Sequence, residues 1–542
     1  MSKQKIEGNI VDVISKTIQK GVITILNGKI SEIEYKEVDS TNYIIPGFVD
    51  AHVHIESSML VPSEFARLAV LHGTVATISD PHEIGNVLGK DGVKFMIDNG
   101  KQTPFKFYFG APSCVPATQF ETAGATITPS DIEEILTWEN VNYLAEMMNY
   151  PGVIFSDPDV MEKITIAKRM GKVIDGHLPG IIGEWVEKYI SAGISTDHEC
   201  FGLEEALEKI SHGMKIIIRE GSAAKNFEAL WTIIDKFPEM VMFCSDDKHP
   251  NDLVVSHINE IAKRAIEKGC DLFNVLRACS KNVIEHYSMN VGLLQKNDPA
   301  DFCIVKDLKD FEVFQTYING ELVAENQKTF IQSVDIKPVN NFSCKEIIKE
   351  QLQVKADATN VKVIVVENGQ LITKQENHNV DDENGFLLAD VENDILKIVV
   401  VNRYFSAEPA VAFVKNFGLK SGAIASCVAH DSHNIIAVGV DDEALVKAIN
   451  LIIEEKGGVS LSSDEVKMVV SLPVAGIMSH KDAYIIADEY SRIDAEAKRL
   501  GSTLNAPYMT LSFCALLVIP ELKLSDKGLF DGKDFKFVPI FN

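Results

Sequence analysis

The 542-residue chain predicts an α/β protein: a (β/α)8 TIM barrel, a small β-sandwich-like unit formed by the segments flanking it, and a C-terminal α/β domain. Three observations carry this. Eight short apolar, β-rich runs alternate with helical patterns over about 260 residues, the count and length of such a barrel. Two hairpin-like stretches, each with a central Asn-Gly, bracket that region. Past residue 330 a second strand-and-helix pattern begins.

The elements follow in order. GVITILNGKISEIE (21–34) sets two alternating runs around Asn27-Gly28. Type I′ turns favour that pair because both positions need φ > 0. FEVFQTYINGELVA (311–324) repeats the pattern around Asn319-Gly320, so 1–45 with 300–333 are expected to form one discontinuous β domain. The barrel occupies 46–299, with strands at 44–54, 74–80, 105–111, 141–147, 172–177, 194–198, 214–220 and 240–247. Between them, SDIEEILTWEN (130–140) offers a capping box from Ser130 to Glu133. EKYISAG and SEFARLAVLHG both run out to a glycine stop. A polar connector (334–346) leads into the third domain, 340–542, with strands at 394–402 and 434–440. Its helix, 441–458, ends at a glycine pair.

Composition removes some functions. With 78 acidic against 52 basic residues the net charge is −26. That excludes nucleic acid and an anionic membrane surface as main partners, since both need clustered Lys and Arg. The nine cysteines are scattered and form no CxxC pair, which fits reduced thiols. The N-terminus has no apolar signal region, and no apolar run approaches the ~18 residues of a membrane span. A soluble, cytoplasmic protein is expected. A barrel with an appended domain suggests a homo-oligomer, a dimer.

In a (β/α)8 barrel, reactive groups stand at the C-terminal ends of the strands. There this chain carries His52 and His54, Asp80 and His82, Glu146, His177, His198 and Asp246. Side chains two apart on a strand share a face, so His52 and His54 can hold one cation together. Four of these histidines (His52, His54, His177 and His198), with Glu146 and Asp246, converge on one rim. Imidazole plus carboxylate, without thiolate, suits Zn, Mn or Fe in an open catalytic site. Each residue alone has a plainer reading: a core histidine, a surface carboxylate, a helix cap. Their joint placement at successive strand ends favours a metal-dependent barrel.

The order HxH, Glu, His, His, Asp on eight strands resembles the amidohydrolase superfamily. Within it, PGFVDAHVHIESSM (46–59), SDPHEIGNVLG (79–89), REGSAAKN (219–226) and CSDDKHP (244–250) are similar to the bacterial-type adenine deaminase family. The resemblance covers nearly the whole chain. It implies two divalent metal ions, manganese or iron, with zinc a further fit. By position, His52, His54 and Asp246 would hold one, His177 and His198 the other, and Glu146 would bridge them. Glu146 stands where other branches use a carboxylated lysine. The resemblance further implies adenine as the small-molecule substrate, deaminated by activated water, in purine salvage. Asp246 would move the proton and His82 polarise the ring or shuttle a proton, with Glu83 a lesser contact to the base.

Arg219, Glu220 and Ser222 follow the seventh strand, where they could recognise purine edges or form an Arg219–Glu220 ion pair. In VAHDSHN (428–434), His430, Asp431 and His433 have a spacing that could bind a cation. They could equally form a loop reaching the active site of this or a neighbouring subunit, or a polar turn. Two rivals stand beside deamination: an amidohydrolase of another purine or a cyclic amide, and a metal-binding paralogue without catalysis.

Overall fold

The structure, a computed structural model, describes residues 3–542. The eight apolar runs are eight parallel strands: Phe48–Val53, Thr74–Ser79, Lys106–Ala111, Val141–Met147, Val173–Gly176, Thr196–Asp197, Lys215–Arg219 and Val241–Cys244. The first five pair in order, as do the last three. Two links close the ring. Ser195 N donates to Ile174 O at 3.0 Å between the fifth and sixth strands. Asp246 N donates to His52 O at 3.0 Å where the eighth meets the first. Strands covered on both faces have no solvated side, so their sequences read as near-continuous apolar runs rather than alternating ones.

One helix starts earlier than the sequence suggests. Pro129–Ile135 is capped by Thr128, which exchanges bonds with Asp131, in place of the expected Ser130–Glu133 box. Pro129 sets this register, because its fixed φ and missing N–H suit the first helical position.

Both ends of the barrel region feed one eight-stranded sheet. Gln4–Asp12, Thr17–Leu26, Lys29–Tyr35 and Tyr43–Pro46 precede the barrel; Phe302–Val305, Val313–Ile318, Glu321–Glu325 and Lys328–Thr329 follow it. Tyr43–Pro46 and Phe302–Val305 pair antiparallel and join the halves. Both Asn-Gly turns have positive φ throughout, 54° and 77° at Asn27-Gly28 and 48° and 73° at Asn319-Gly320. The two tips meet at Ala300, which donates to Gly28 O and accepts from Gly320 N, each at 2.9 Å.

The C-terminal domain is β-rich. Its eight-stranded sheet runs Thr373–Asn379, Asn360–Val366, Ala410–Lys415, Ile395–Val401, Ile435–Gly439, Ala423–Ser426, Gly458–Ser462, Lys467–Ser471. Only the second and third strands pair parallel, so the α/β pattern of the sequence resolves into a mainly antiparallel sheet with helices. The helix Asp442–Glu455 starts at Asp441, whose side chain accepts from Ala444 N, and ends before the Gly457-Gly458 pair. This domain is bonded to the barrel. Arg67 reaches Asp482 at 2.7 Å, Ser479 N donates to Met59 O at 2.8 Å, and Asn434 Nδ2 donates to Thr122 O at 2.9 Å. Among the described residues no helix is long and apolar enough to cross a membrane.

His72 gives the fold a defined acid sensitivity. It is 3% exposed and donates from Nε2 to Leu253 O at 2.8 Å. Burial, with His257 beside it, pushes its pKa down to about 3. The native state then binds fewer protons than the unfolded state between about pH 6.5 and pH 3. Stability contributed by neutral His72 is present above that window and lost as pH falls through it, by at most about 1.4 kcal/mol per pH unit. His72→Gln keeps a donor without the titration. Its acid unfolding limb, followed by urea denaturation at several pH values, should be shallower by up to that slope.

Candidate metal centre

The strand ends place the metal-ligating candidates in one buried cluster. His52 Nε2 and His54 Nε2 lie 3.1 Å apart. His54 Nδ1 donates to Asp80 O at 3.2 Å, which turns Nε2 toward the centre. The same Nε2 lies 3.2 Å from Glu146 Oε1 and 3.2 Å from Asp246 Oδ1. His52 Nε2 is 3.6 Å from Asp246 Oδ1. On the other side, Glu146 Oε2 is 2.9 Å from His177 Nδ1 and 3.2 Å from His198 Nε2. Ring nitrogens and carboxylate oxygens packed this closely repel unless protons or a metal cation lie among them. The groups His52–His54–Asp246 and His52–Glu146–His198 each bring their donor atoms within 4.8 Å of one another. Nitrogen and oxygen donors, both faces of Glu146 and no thiolate fit two divalent cations.

Burial raises the cost of charge on Glu146, yet His177, His198 and His54 hold its carboxyl well below the usual range. Asp246 behaves alike: burial opposes ionisation, and Arg219, His54 and His198 overcome it. His52 differs. Burial and its neighbours His198 and His54 push it well down, which keeps the ring neutral and able to ligate.

A second set of contacts fixes the first. Tyr189 OH donates to Met147 O at 2.7 Å and accepts from His177 N at 3.0 Å, tying the fourth strand to the fifth. Lys209, fully buried, donates to Asp197 Oδ2 at 2.8 Å, Glu205 Oε1 at 2.6 Å and Leu178 O at 2.5 Å. It thereby aligns the chain on either side of His177 and His198. Asp246 takes a left-handed backbone, φ 52°, which aspartate tolerates better than most residues.

Arg219 is the largest departure from expectation. Its guanidinium lies between Glu199 and Asp246, with Nη2 2.9 Å from Glu199 Oε2, and not against Glu220. Glu220 pairs with Arg264 and accepts from Phe227 N at 3.2 Å. Ser222 donates to Asp252 Oδ2 at 2.5 Å and accepts from His249 N at 2.9 Å. None of the three lines the cavity at the centre. Arg264 and Asp252 draw Glu220 and Ser222 aside, and Arg219 stands behind Glu199 and Asp246, which line the cavity. Glu199 went unnoticed in the sequence. Its Oε1 lies 3.6 Å from His177 Nδ1 and 3.5 Å from His198 Nε2.

A small cavity of about 30 Å³ lies at the centre. Barrel residues, His82, Glu83, Met148 and Asp247 among them, form its floor and walls, and Leu371, His430, Asp431, Phe513 and Leu516 form its roof. The 428–434 stretch is therefore a loop that reaches the site of its own chain. His430 Nδ1 and His433 Nε2 grip the two oxygens of Glu83 at 2.7 and 2.9 Å. His82 stands between Asp80, 3.2 Å from Nδ1, and Asp431, 3.7 Å from Nε2. Arg403 holds the loop from behind: it is fully buried, and its Nη1 donates to His433 O at 3.3 Å.

Comparison with known proteins adds to this geometry. The amidohydrolase family matches residues 43–323, and the adenine deaminase C-terminal domain matches 370–536. An adenine deaminase of Sulfurovum sp. (strain NBC37-1) is 55% identical over 535 residues, 98% of this chain and 99% of that protein. One from Methanosarcina acetivorans is 51% identical over 549 residues, 99% of each. One from Borreliella burgdorferi is 48% identical over 546 residues, 98% of this chain and 99% of that protein.

Proposed function

The chain belongs to the adenine deaminase family of amidohydrolases, and from that premise we propose that it hydrolyses adenine to hypoxanthine and ammonia in purine salvage. One observation carries the site assignment: Glu146 turns one oxygen to His54 and the other to His177 and His198. His52, His54 and Asp246 would hold one cation, His177 and His198 the second, with Glu146 shared. Manganese or iron(II) is the expected metal, and the same ligands admit zinc. Two such cations supply Lewis-acid polarisation and lower the pKa of water.

The chain's own groups do the rest. Arg219 ties Asp246 Oδ2 down and leaves Oδ1 facing the centre, where it takes a proton from the attacking water. The water oxygen bonds to C6 and the C6–N bond breaks. One water proton leaves with the amine as ammonia, and the other ends on N1 of hypoxanthine. His82, held between Asp80 and Asp431, polarises the ring, and Glu83 contacts the base from its histidine grip. Leu371, Phe513 and Leu516 cover the ring and exclude water.

Protein purified with manganese and protected from oxidation should release ammonia from adenine and not from adenosine, with about two metals per chain. Two metals with turnover of a cyclic amide and none of adenine would move the substrate to the rival ring. The nine unpaired cysteines, all buried but Cys344, support a cytoplasmic setting. A homodimer is expected, and sedimentation reads it.

A further inference from the structure

Lys523 is a buried cation that the reaction does not use. It lies on the strand Leu522–Ser525 with no solvent exposure. Its ammonium donates to two main-chain oxygens, Leu371 O at 2.8 Å and Phe513 O at 2.9 Å. No carboxylate pairs with it among the described residues; the one titratable group acting on it is the Cys514 thiol, which burial pushes up to about 12. Burial likewise pushes Lys523 down to about 8. An ammonium in such a place costs free energy unless it is well bonded, and a methionine would fill the space without that cost. What the lysine adds is two charge-assisted bonds to segments 152 and 10 residues away in sequence.

Both acceptors belong to residues that roof the cavity. The Phe513 ring stacks on His430 with centroids 5.2 Å apart and planes at 27°. His430 in turn grips Glu83 at 2.7 Å. The Leu371 segment is also stitched to the lysine's strand by Thr373, whose hydroxyl donates to Leu522 O at 2.8 Å. We propose that Lys523 is a positioning residue of the substrate pocket, pinning Leu371 and Phe513 as an apolar lid on the purine and so setting affinity for the base. The proposal rests on the adenine reading and concerns binding rather than chemistry.

The test compares Lys523→Met with the unaltered holoenzyme. Adenine kinetics, metal content and calorimetric binding of hypoxanthine are read on the same samples. The KM for adenine and the Kd for hypoxanthine should each rise about tenfold, the loss of one good interaction. The kcat should stay within about threefold and the metal content at about two per chain. Unchanged KM and Kd overturn the proposal, as does a fall in kcat with KM and Kd constant. Should Lys523→Met not fold, Thr373→Val decides. It removes a single neutral hydrogen bond between the same segments and should raise KM and Kd about threefold, within the net worth of one such bond; no change overturns the proposal. An unaltered enzyme that neither turns over adenine nor binds hypoxanthine refutes the adenine reading itself, and the proposal falls with it.

Discussion

Asp246→Asn should lower kcat on adenine by about a thousandfold, within the range a positioned acid–base group contributes. The amide matches the carboxylate in shape, so the fold around it should hold. It cannot accept and return a proton at neutral pH. It also places a dipole where Arg219 meets a full charge on Oδ2, although Glu199 still satisfies that guanidinium. Metal analysis on the same sample separates the two roles given to Asp246. Two metals with kcat lost assigns the defect to proton transfer. One metal or fewer assigns it to ligation. A variant that keeps two metals and stays within tenfold of the unaltered kcat would sink both roles.

Much of this centre was legible because the barrel obliges reactive groups to stand at strand ends. His52 with His54, then Glu146, His177, His198 and Asp246 close five of the apolar runs, and the structure gathers all six residues. Glu199 was hidden by its position. It directly follows His198, and neighbours on an extended chain point to opposite faces. Its place beside the centre depends on Arg219, 20 residues away. Glu220 and Ser222 misled for the same reason: Arg264 and Asp252, which draw them aside, lie 44 and 30 residues along the chain. The roof was the least legible part. His430 and Phe513 meet Glu83 and the cavity only through docking of the C-terminal domain, which no local pattern encodes. Lys523, on the short strand Leu522–Ser525, is likewise wholly buried by contacts far along the chain. Local periodicity reports what one strand or helix buries, and contacts between domains leave no trace in it.

Glu146→Gln tests the shared position most sharply. The substitution preserves volume and removes one negative charge from among His54, His177 and His198. An amide offers a single oxygen, so it can serve His54's side or the His177–His198 side but not both. Its NH2 would then point at a cation or at a ring nitrogen, where a donor repels the first and cannot replace the carboxylate for the second. Metal content should fall from about two per chain to one or fewer, and kcat by about a thousandfold or more, since two cations held as proposed would together activate the water. Loss of a bound cation also removes its mass-action contribution to the folded state. The variant's denaturation temperature should therefore lie below the holoenzyme's, toward that of chelator-treated protein, and chelation should shift it less than it shifts the holoenzyme. Elemental analysis with calorimetry before and after chelation reads all three. Two tightly held metals per chain in Glu146→Gln, with activity near that of the unaltered enzyme, would show that the bridge lies elsewhere, and Glu199 is the carboxylate to examine next, standing 3.5–3.6 Å from both His198 and His177.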